Sequence, residues 1–256
     1  MYQADVAITS TYNPTLVTLS ILIAVVASYT ALNLTGRVTI AYGRVRLAWL
    51  IGGAITMGIG IWSMHFVAML AFSLPMPIGY DVWTVVFSTL PAIVASGGAL
   101  FLTSRHVLNV QELLIGGVLM GIGIASMHYI GMGAMHMEAK TQYDPLLFAL
   151  SVASAIGASI VALWIAFELR TQSSKTGQYL KISSAFVMGG AISAMHYIGM
   201  ASASFTPTKV AVAPATQAMQ ASQTWLAVGI GIATLVILSL TVLIPIYTGF
   251  EVNRPQ

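Results

Sequence analysis

The sequence contains no cysteine, and only 7% of its 256 residues are charged. The absence of thiols excludes disulfide frameworks, thiolate-bound zinc and iron–sulfur clusters. About one quarter of the residues of a soluble globular domain are charged, so this composition excludes an ordinary soluble domain. Ten basic residues give a net charge of +3. They are scattered between apolar segments and form no patch, which argues against a nucleic-acid partner.

What the chain has instead is long apolar segments, and hydrophobic residues make up 57% of it. Each segment is long enough for a helix to cross the lipid bilayer, and runs of this length satisfy their backbone in lipid only as helices. The sequence therefore predicts one all-α membrane domain over residues 1–256, with seven transmembrane helices. The segments lie at about 15–35, 47–73, 82–104, 113–137, 146–169, 180–204 and 224–249.

The basic residues predict the orientation of these helices. With the N-terminus outside, eight basic residues lie on the inner side and only Lys140 and Lys209 on the outer side. Because cytoplasmic links are enriched in Lys and Arg, this arrangement is favoured over its reverse. We expect a cytoplasmic C-terminus, a flexible outer loop over 205–224, and a kink at Pro245 in the last helix.

Three alternate segments carry the same motif at residues 57–69, 120–132 and 188–200. The first reads MGIGIWSMHFVAM, the second MGIGIASMHYIGM and the third MGGAISAMHYIGM. The motif histidines are 63 and 68 residues apart, so each repeat is a two-helix unit and all three are parallel. We predict a pseudo-threefold axis along the membrane normal, relating units 15–73, 82–137 and 146–204, with the helix at 224–249 outside the repeat.

The motif brings together residue types that bind soft metal ions. Residues i and i+4 share one helix face, so each histidine lies one turn from a methionine, and another methionine precedes it directly. Imidazole and thioether without carboxylate favour copper, especially Cu(I), over calcium or magnesium. His136, eight residues after His128 in the same segment, is a candidate entrance ligand. The candidate ligands in the motif are His65, His128, His196, Met64, Met127, Met195, Met69, Met132 and Met200.

These motifs resemble the MHYT domain, a bacterial integral-membrane sensory module. Met127-His128-Tyr129 and Met195-His196-Tyr197 match the first three signature letters, and isoleucine replaces the threonine in both; residues 64–67 read Met-His-Phe-Val and depart further. The resemblance implies a sensor in the bacterial inner membrane that binds copper through Met and His. It further implies a diatomic gas ligand (O2, CO or NO) and a cytoplasmic output such as a diguanylate cyclase or phosphodiesterase of cyclic-di-GMP.

Other functions remain open from the residues alone. Three histidines can also hold zinc, as in a seven-helix membrane hydrolase, but hydrolysis normally needs a nearby general base. No Asp or Glu lies in the interior of an apolar segment, since Glu138 and Glu168 are at segment ends. Two histidines on facing helices can ligate haem. Copper transport would need soft ligands continuing to the inner face, which the sequence lacks. We therefore expect no enzymatic activity from this chain, and copper rather than zinc or haem.

Overall fold

The computed structural model of the chain describes residues 8–207, 225–234, 236 and 239. Within them, six helices are long and apolar enough to cross a membrane, which agrees with an all-α, multi-pass membrane domain. Helix α8 (Trp225–Thr234) begins the predicted seventh segment; most of the remainder, including Pro245, lies outside the described residues. The first seven helices are α1 (Pro14–Ile40), α2 (Gly43–Ala71), α3 (Val82–Phe87), α4 (Thr89–Thr103), α5 (Val110–Gly133), α6 (Pro145–Leu169) and α7 (Lys175–Ser202).

The six spans form a closed ring in which motif helices alternate with the others. Helix α1 packs against α2 and α7, and the ring continues through α4, α5 and α6. The third span consists of α3 and α4, which meet at Ser88. The motif helices α2, α5 and α7 therefore occupy every second position, as the parallel repeat predicts.

Small residues allow neighbouring helices in this ring to approach closely. The glycine seven residues before each motif histidine faces the backbone of a non-motif span that is its neighbour in the ring. A Cβ on Gly121 would lie 2.5 Å from the Cα of Ile156, so no larger residue fits there without a shift of the backbone. The equivalent pairs are Gly58 with Ile93, where the distance is 2.7 Å, and Gly189 with Val25, where it is 2.8 Å.

Each non-motif span begins at a side chain that caps the helix. Asn13, Asp81 and Asp144 precede α1, α3 and α6, and each accepts a hydrogen bond from a backbone N–H of the first turn. Such caps satisfy donors that the start of a helix leaves free. The backbone N–H of the same three residues donates to a carbonyl at the end of a motif helix, on Ala71, Ala134 and Ser202 respectively.

Three short antiparallel strand pairs continue these links at the end of the bundle that carries the motif, which we call the histidine end. In each pair, the strand before a repeat joins the strand after it. Pairing satisfies the backbone groups of segments that would otherwise meet lipid or apolar side chains without partners. The pairs are β1 (Thr11–Tyr12) with β2 (Phe72–Ser73), β3 (Gly79–Tyr80) with β4 (Met135–His136), and β5 (Ala139–Tyr143) with β6 (Ala203–Pro207).

Two expectations from the sequence are corrected here. The segment 113–137 is not helical to its end, because α5 stops at Gly133 and residues 135–136 form β4. The predicted loop 205–224 also begins differently, since residues 205–207 belong to β6. After α5 the chain remains apolar, so hydropathy alone does not reveal the change from helix to strand there. The rest of that loop, 208–224, lies outside the described residues.

Candidate metal centre

The three motif histidines meet in the interior of the ring. His65 on α2, His128 on α5 and His196 on α7 are each 0% exposed, and their ligand nitrogens lie within 4.8 Å of one another. The Nδ1 atom of His65 lies 3.0 Å from Nδ1 of His196 and 3.2 Å from Nδ1 of His128. The convergence expected from the repeat is therefore present, and we call these residues the histidine triad.

Glycines on the neighbouring motif helix make room for two of these rings. A Cβ at Gly131 would lie 2.5 Å from Nε2 of His65, and a Cβ at Gly199 would lie 2.5 Å from Nε2 of His128. Both glycines stand three residues after a motif histidine, a position that Ala68 holds in the first repeat. The glycine of the motif thus positions the histidine of the preceding repeat.

The tyrosines that follow two of the motif histidines form hydrogen bonds to neighbouring non-motif helices. The hydroxyl of Tyr129 lies 2.5 Å from Oγ of Ser151, and the hydroxyl of Tyr197 lies 3.0 Å from Oγ of Ser20. Both serines already donate to a backbone carbonyl of their own helix, so the tyrosines are the donors in these contacts. In the first repeat the aromatic residue is Phe66, which has no hydroxyl.

The six candidate methionine ligands are buried beside the triad. Those that precede the histidines and those one turn later all belong to a single core cluster. None is more than 3% exposed. Their burial agrees with packing as well as with ligation, so a thioether ligand remains a prediction. These residues are Met64, Met127, Met195, Met69, Met132 and Met200.

His136 is not brought together with the triad. It lies exposed in β4, opposite Gly79, because the helix that was expected to carry it ends at Gly133. His136 therefore does not share a helix face with His128, and the prediction that placed it there is wrong. An entrance role for His136 has no support from its position.

The surroundings of the triad fit a metal ion better than a set of hydrogen bonds. A neutral imidazole offers either one N–H or one lone pair at Nδ1, so His65 cannot form good hydrogen bonds to both partners at once. The Nε2 atoms of all three rings are buried and have no hydrogen-bond partner among the described residues, so they do not complete a hydrogen-bonded set either. Three nitrogens that share one ion at about 2.0 Å are about 3.3–3.5 Å apart, a few tenths of an ångström more than the two contacts of His65.

No carboxylate lies in any of the three motif segments. The triad therefore offers only neutral donors, and an ion held there keeps its full charge in an apolar interior. The Born cost of moving an ion into an apolar interior rises with the square of its charge, so this cost is about four times as large for a dication as for a monocation. The donor set thus favours Cu(I), whose preferred ligands include imidazole and thioether.

Several groups in the links at the histidine end have shifted pKa values, among them Asp81 and Tyr12. Hydrogen bonds from the side chain and backbone of Thr84 lower the pKa of Asp81, which strengthens this carboxylate as a helix cap. Burial and the neighbouring Tyr197 raise the pKa of Tyr12 to about 12, so its hydroxyl stays uncharged at neutral pH.

Comparison with known proteins identifies the family of the chain. Four segments, at 1–48, 58–116, 121–177 and 189–245, match the profile of MHYT, described as a bacterial signalling protein N-terminal repeat. The last three matches each begin seven residues before a motif histidine, at the position of the close-packed glycines. No solved structure matches the chain.

Several curated proteins are similar to this chain. The bifunctional diguanylate cyclase/cyclic di-GMP phosphodiesterase MucR of Pseudomonas aeruginosa is 47% identical over 93% of the chain, which covers 34% of MucR. Signaling protein YkoW of Bacillus subtilis is 46% identical over 76% of the chain, covering 24% of YkoW. Cyclic di-GMP phosphodiesterase NbdA of P. aeruginosa is 44% identical over 75% of the chain, again covering 24%.

The chain therefore spans about a third or less of the length of the curated relatives it matches. The family matches, in contrast, cover most of the chain and include all three motif histidines. The resemblance seen in the motifs is thus confirmed, and the chain belongs to the MHYT family of bacterial signalling repeats.

Proposed function

We propose that this chain is the membrane sensory domain of a bacterial signalling protein and that its histidine triad holds one copper ion. The observation that carries this proposal is the convergence of three buried imidazoles whose Nδ1 atoms are 3.0 and 3.2 Å apart. His65, His128 and His196 would hold the ion, each from a different motif helix. The buried methionines next to them are candidate additional ligands, and zinc and haem are the alternative occupants.

The proposed stimulus is a diatomic gas, O2, CO or NO. When bound, copper(I) supplies an electron-rich centre to which such a molecule coordinates. The chain supplies the surroundings: the triad is 0% exposed, so bulk water is excluded from it. The absence of acidic residues from the motif segments leaves no general base, which argues against a zinc-dependent hydrolase.

The signal would travel through the motif helices. Each triad ring contacts the other two, with ring centres 4.9 to 5.0 Å apart, so movement of one ring affects all three helices. Such a movement changes the output only if the gas binds one arrangement of the helices more tightly than the other. Because MucR and NbdA are named for cyclic-di-GMP turnover, we propose that the partner is a cytoplasmic domain of that kind.

Infrared spectroscopy of the Cu(I)-loaded protein under CO tests this function. We expect a C–O stretching band from wild-type protein that is absent from the His65→Ala, His128→Ala and His196→Ala variants. The matched control is His106→Ala, which replaces an exposed histidine away from the motif and should leave the band unchanged. A loaded wild-type protein without a CO band, or a band that survives in the triad variants, would contradict gas sensing at this centre.

A further inference from the structure

A cavity of about 40 Å³ lies next to the histidine triad, on the side away from the strand pairs. Two sets of threefold-related side chains line it, and both come from the motif helices. The isoleucines stand four residues before the histidines, about 6 Å along the helix, and the methionines eight residues before, about 12 Å. These residues are Ile61, Ile124, Ile192, Met57, Met120 and Met188, and we call the space between them the methionine cavity.

The position of this cavity follows from the repeat. Equivalent side chains from α2, α5 and α7 border one space below the triad, and the rest of the lining comes from α1, α6 and α7, so the cavity extends from the centre of the ring toward those three helices. Met195, which directly precedes His196, also lines it. The methionine cavity therefore extends to the residue adjoining a triad histidine, and a molecule inside it is separated from the imidazoles only by the isoleucine layer.

The lining of the cavity is apolar except for two serines. Ser28 donates its hydroxyl to the carbonyl of Ala24 at 2.8 Å. Ser159 is 1% exposed, and its Oγ has no hydrogen-bond partner among the described residues. A buried water molecule usually needs two to four polar partners, and one free hydroxyl does not supply them. A cavity of about 40 Å³ exceeds the space of about 10–15 Å³ that one water needs, so it is large enough for a small molecule yet unsuited to water.

We propose that the methionine cavity is a dry binding site for a small apolar gas molecule of the O2, CO and NO class. Its unpartnered Ser159 hydroxyl offers one weak hydrogen bond to such a ligand. Ala158 and Ala191, on the adjacent helices α6 and α7, line the cavity and are partly exposed, so the ligand enters sideways from the bilayer. Apolar gases concentrate in hydrocarbon relative to water, and this route uses that higher concentration.

This inference deepens the proposed gas-sensing function but can be tested without any metal. The probe is xenon, which binds dry apolar cavities in proteins. Crystals of the copper-free full chain under xenon pressure should show one anomalous peak inside the methionine cavity, between the isoleucine and methionine layers. Failure of copper to bind the triad would not affect this result, so the two proposals fail separately. A wild-type structure with xenon only at lipid-facing sites, or with ordered water in the cavity, would overturn this inference.

Substitutions that fill the cavity give a second readout, by 129Xe NMR of protein in lipid nanodiscs. Ala155→Leu, on the cavity wall, should abolish the signal of bound xenon, whereas Ala153→Leu, exposed on the same helix, should leave it unchanged. Ala27→Leu fills the cavity from α1 and should repeat the loss if Ala155→Leu does not fold. Equal xenon signals in the cavity and control variants would overturn the proposal.

The number of Cu(I) equivalents that the protein binds distinguishes a gas site in the cavity from an ion site. The three cavity methionines could in principle bind Cu(I) themselves, because thioethers are soft ligands. We expect no second equivalent of Cu(I) beyond the one at the triad. A second equivalent that is lost in the Met57→Leu, Met120→Leu and Met188→Leu triple variant would show that the cavity holds an ion and would overturn the gas-site proposal.

Discussion

Gly131 of α5 lies against the imidazole of His65 on α2 so closely that a Cβ at position 131 would be 2.5 Å from Nε2. Gly199 of α7 has the same relationship to His128. A residue of one repeat thus determines where the histidine of the preceding repeat can stand. The glycine three residues after the histidine is therefore as much a part of the candidate centre as the histidines themselves, although it contributes no ligand.

The first prediction concerns this glycine. Gly131→Ala should displace the His65 ring and reduce copper binding at least tenfold, because an added Cβ at 2.5 Å cannot be accommodated without movement of the ring. The matched control is Gly133→Ala in the same helix, where an added Cβ meets nothing within 4 Å among the described residues. Competition with a chromophoric Cu(I) chelator measures both affinities. Equal affinities in the two variants would show that the close contact does not position His65.

A second prediction concerns the hydrogen bond between Tyr129 and Ser151. Tyr129→Phe removes the donor and should lower the free energy of unfolding by about 1 kcal/mol, the usual net contribution of one hydrogen bond. Tyr179→Phe is the control, because that tyrosine is 73% exposed. Denaturant unfolding of the detergent-solubilised protein gives both values. If both variants unfolded alike, the hydroxyl of the signature tyrosine would have no structural role here.

The first repeat is the exception to the hydrogen bond between the signature tyrosine and a serine. Phe66 takes the place of the signature tyrosine, and Ser88 stands at the position equivalent to Ser20 and Ser151. Ser88 donates to the carbonyl of Val85 at 2.7 Å, so its oxygen can still accept a hydrogen bond. The serine has thus been kept where the tyrosine hydroxyl is missing, and the helix break between α3 and α4 falls at this residue.

The third prediction is a dependence of stability on acid pH. The pKa of Asp81 is lowered in the folded protein from an ordinary value of 3.8 by hydrogen bonds from Thr84. The folded state therefore binds this proton less tightly than the unfolded state. The contribution is complete above pH 3.8 and is lost as the pH falls through the lower, folded value.

Asp81→Asn should keep the helix cap, as Asn13 does before α1, but remove this pH dependence. Thermal unfolding in detergent, followed from neutral pH down to below 3.8, measures the effect. Thr84→Ala serves as a second variant, since it removes one of the two hydrogen bonds and should weaken the dependence without abolishing it. If the stability of Asp81→Asn fell with pH as steeply as that of wild type, the pH dependence would come from other groups.

The sequence predicts the convergence of the histidines because three residues at the same offset in parallel repeats must lie at the same depth. It does not show which ring nitrogen faces the axis, since that depends on the rotamers that Gly131 and Gly199 permit. The structure resolves this in favour of Nδ1. The helix ends were harder to predict, because the chain stays apolar where α5 gives way to β4, and His136 was misplaced for that reason.

The non-motif helices carry a second repeat, which the motif around the histidines does not include. The segments 24–28, 92–96 and 155–159 read AVVAS, AIVAS and AIGAS, and they supply the partners of the close-packed glycines. A tyrosine followed by a capping Asn or Asp at residues 12–13, 80–81 and 143–144 begins the same spans. Both patterns recur at intervals of 68 and 63 residues, so they could have been found from the sequence.

Metal content of the purified chain tests the central claim most directly. After loading with Cu(I) and removal of excess metal, elemental analysis should find one copper per wild-type chain and none in the His65→Ala, His128→Ala and His196→Ala triple variant. The variant lacking the exposed histidines, His106→Ala with His136→Ala, should still bind one copper. A wild-type protein that retains no copper, or a triple variant that retains as much as wild type, would contradict the assignment of the triad as the metal centre.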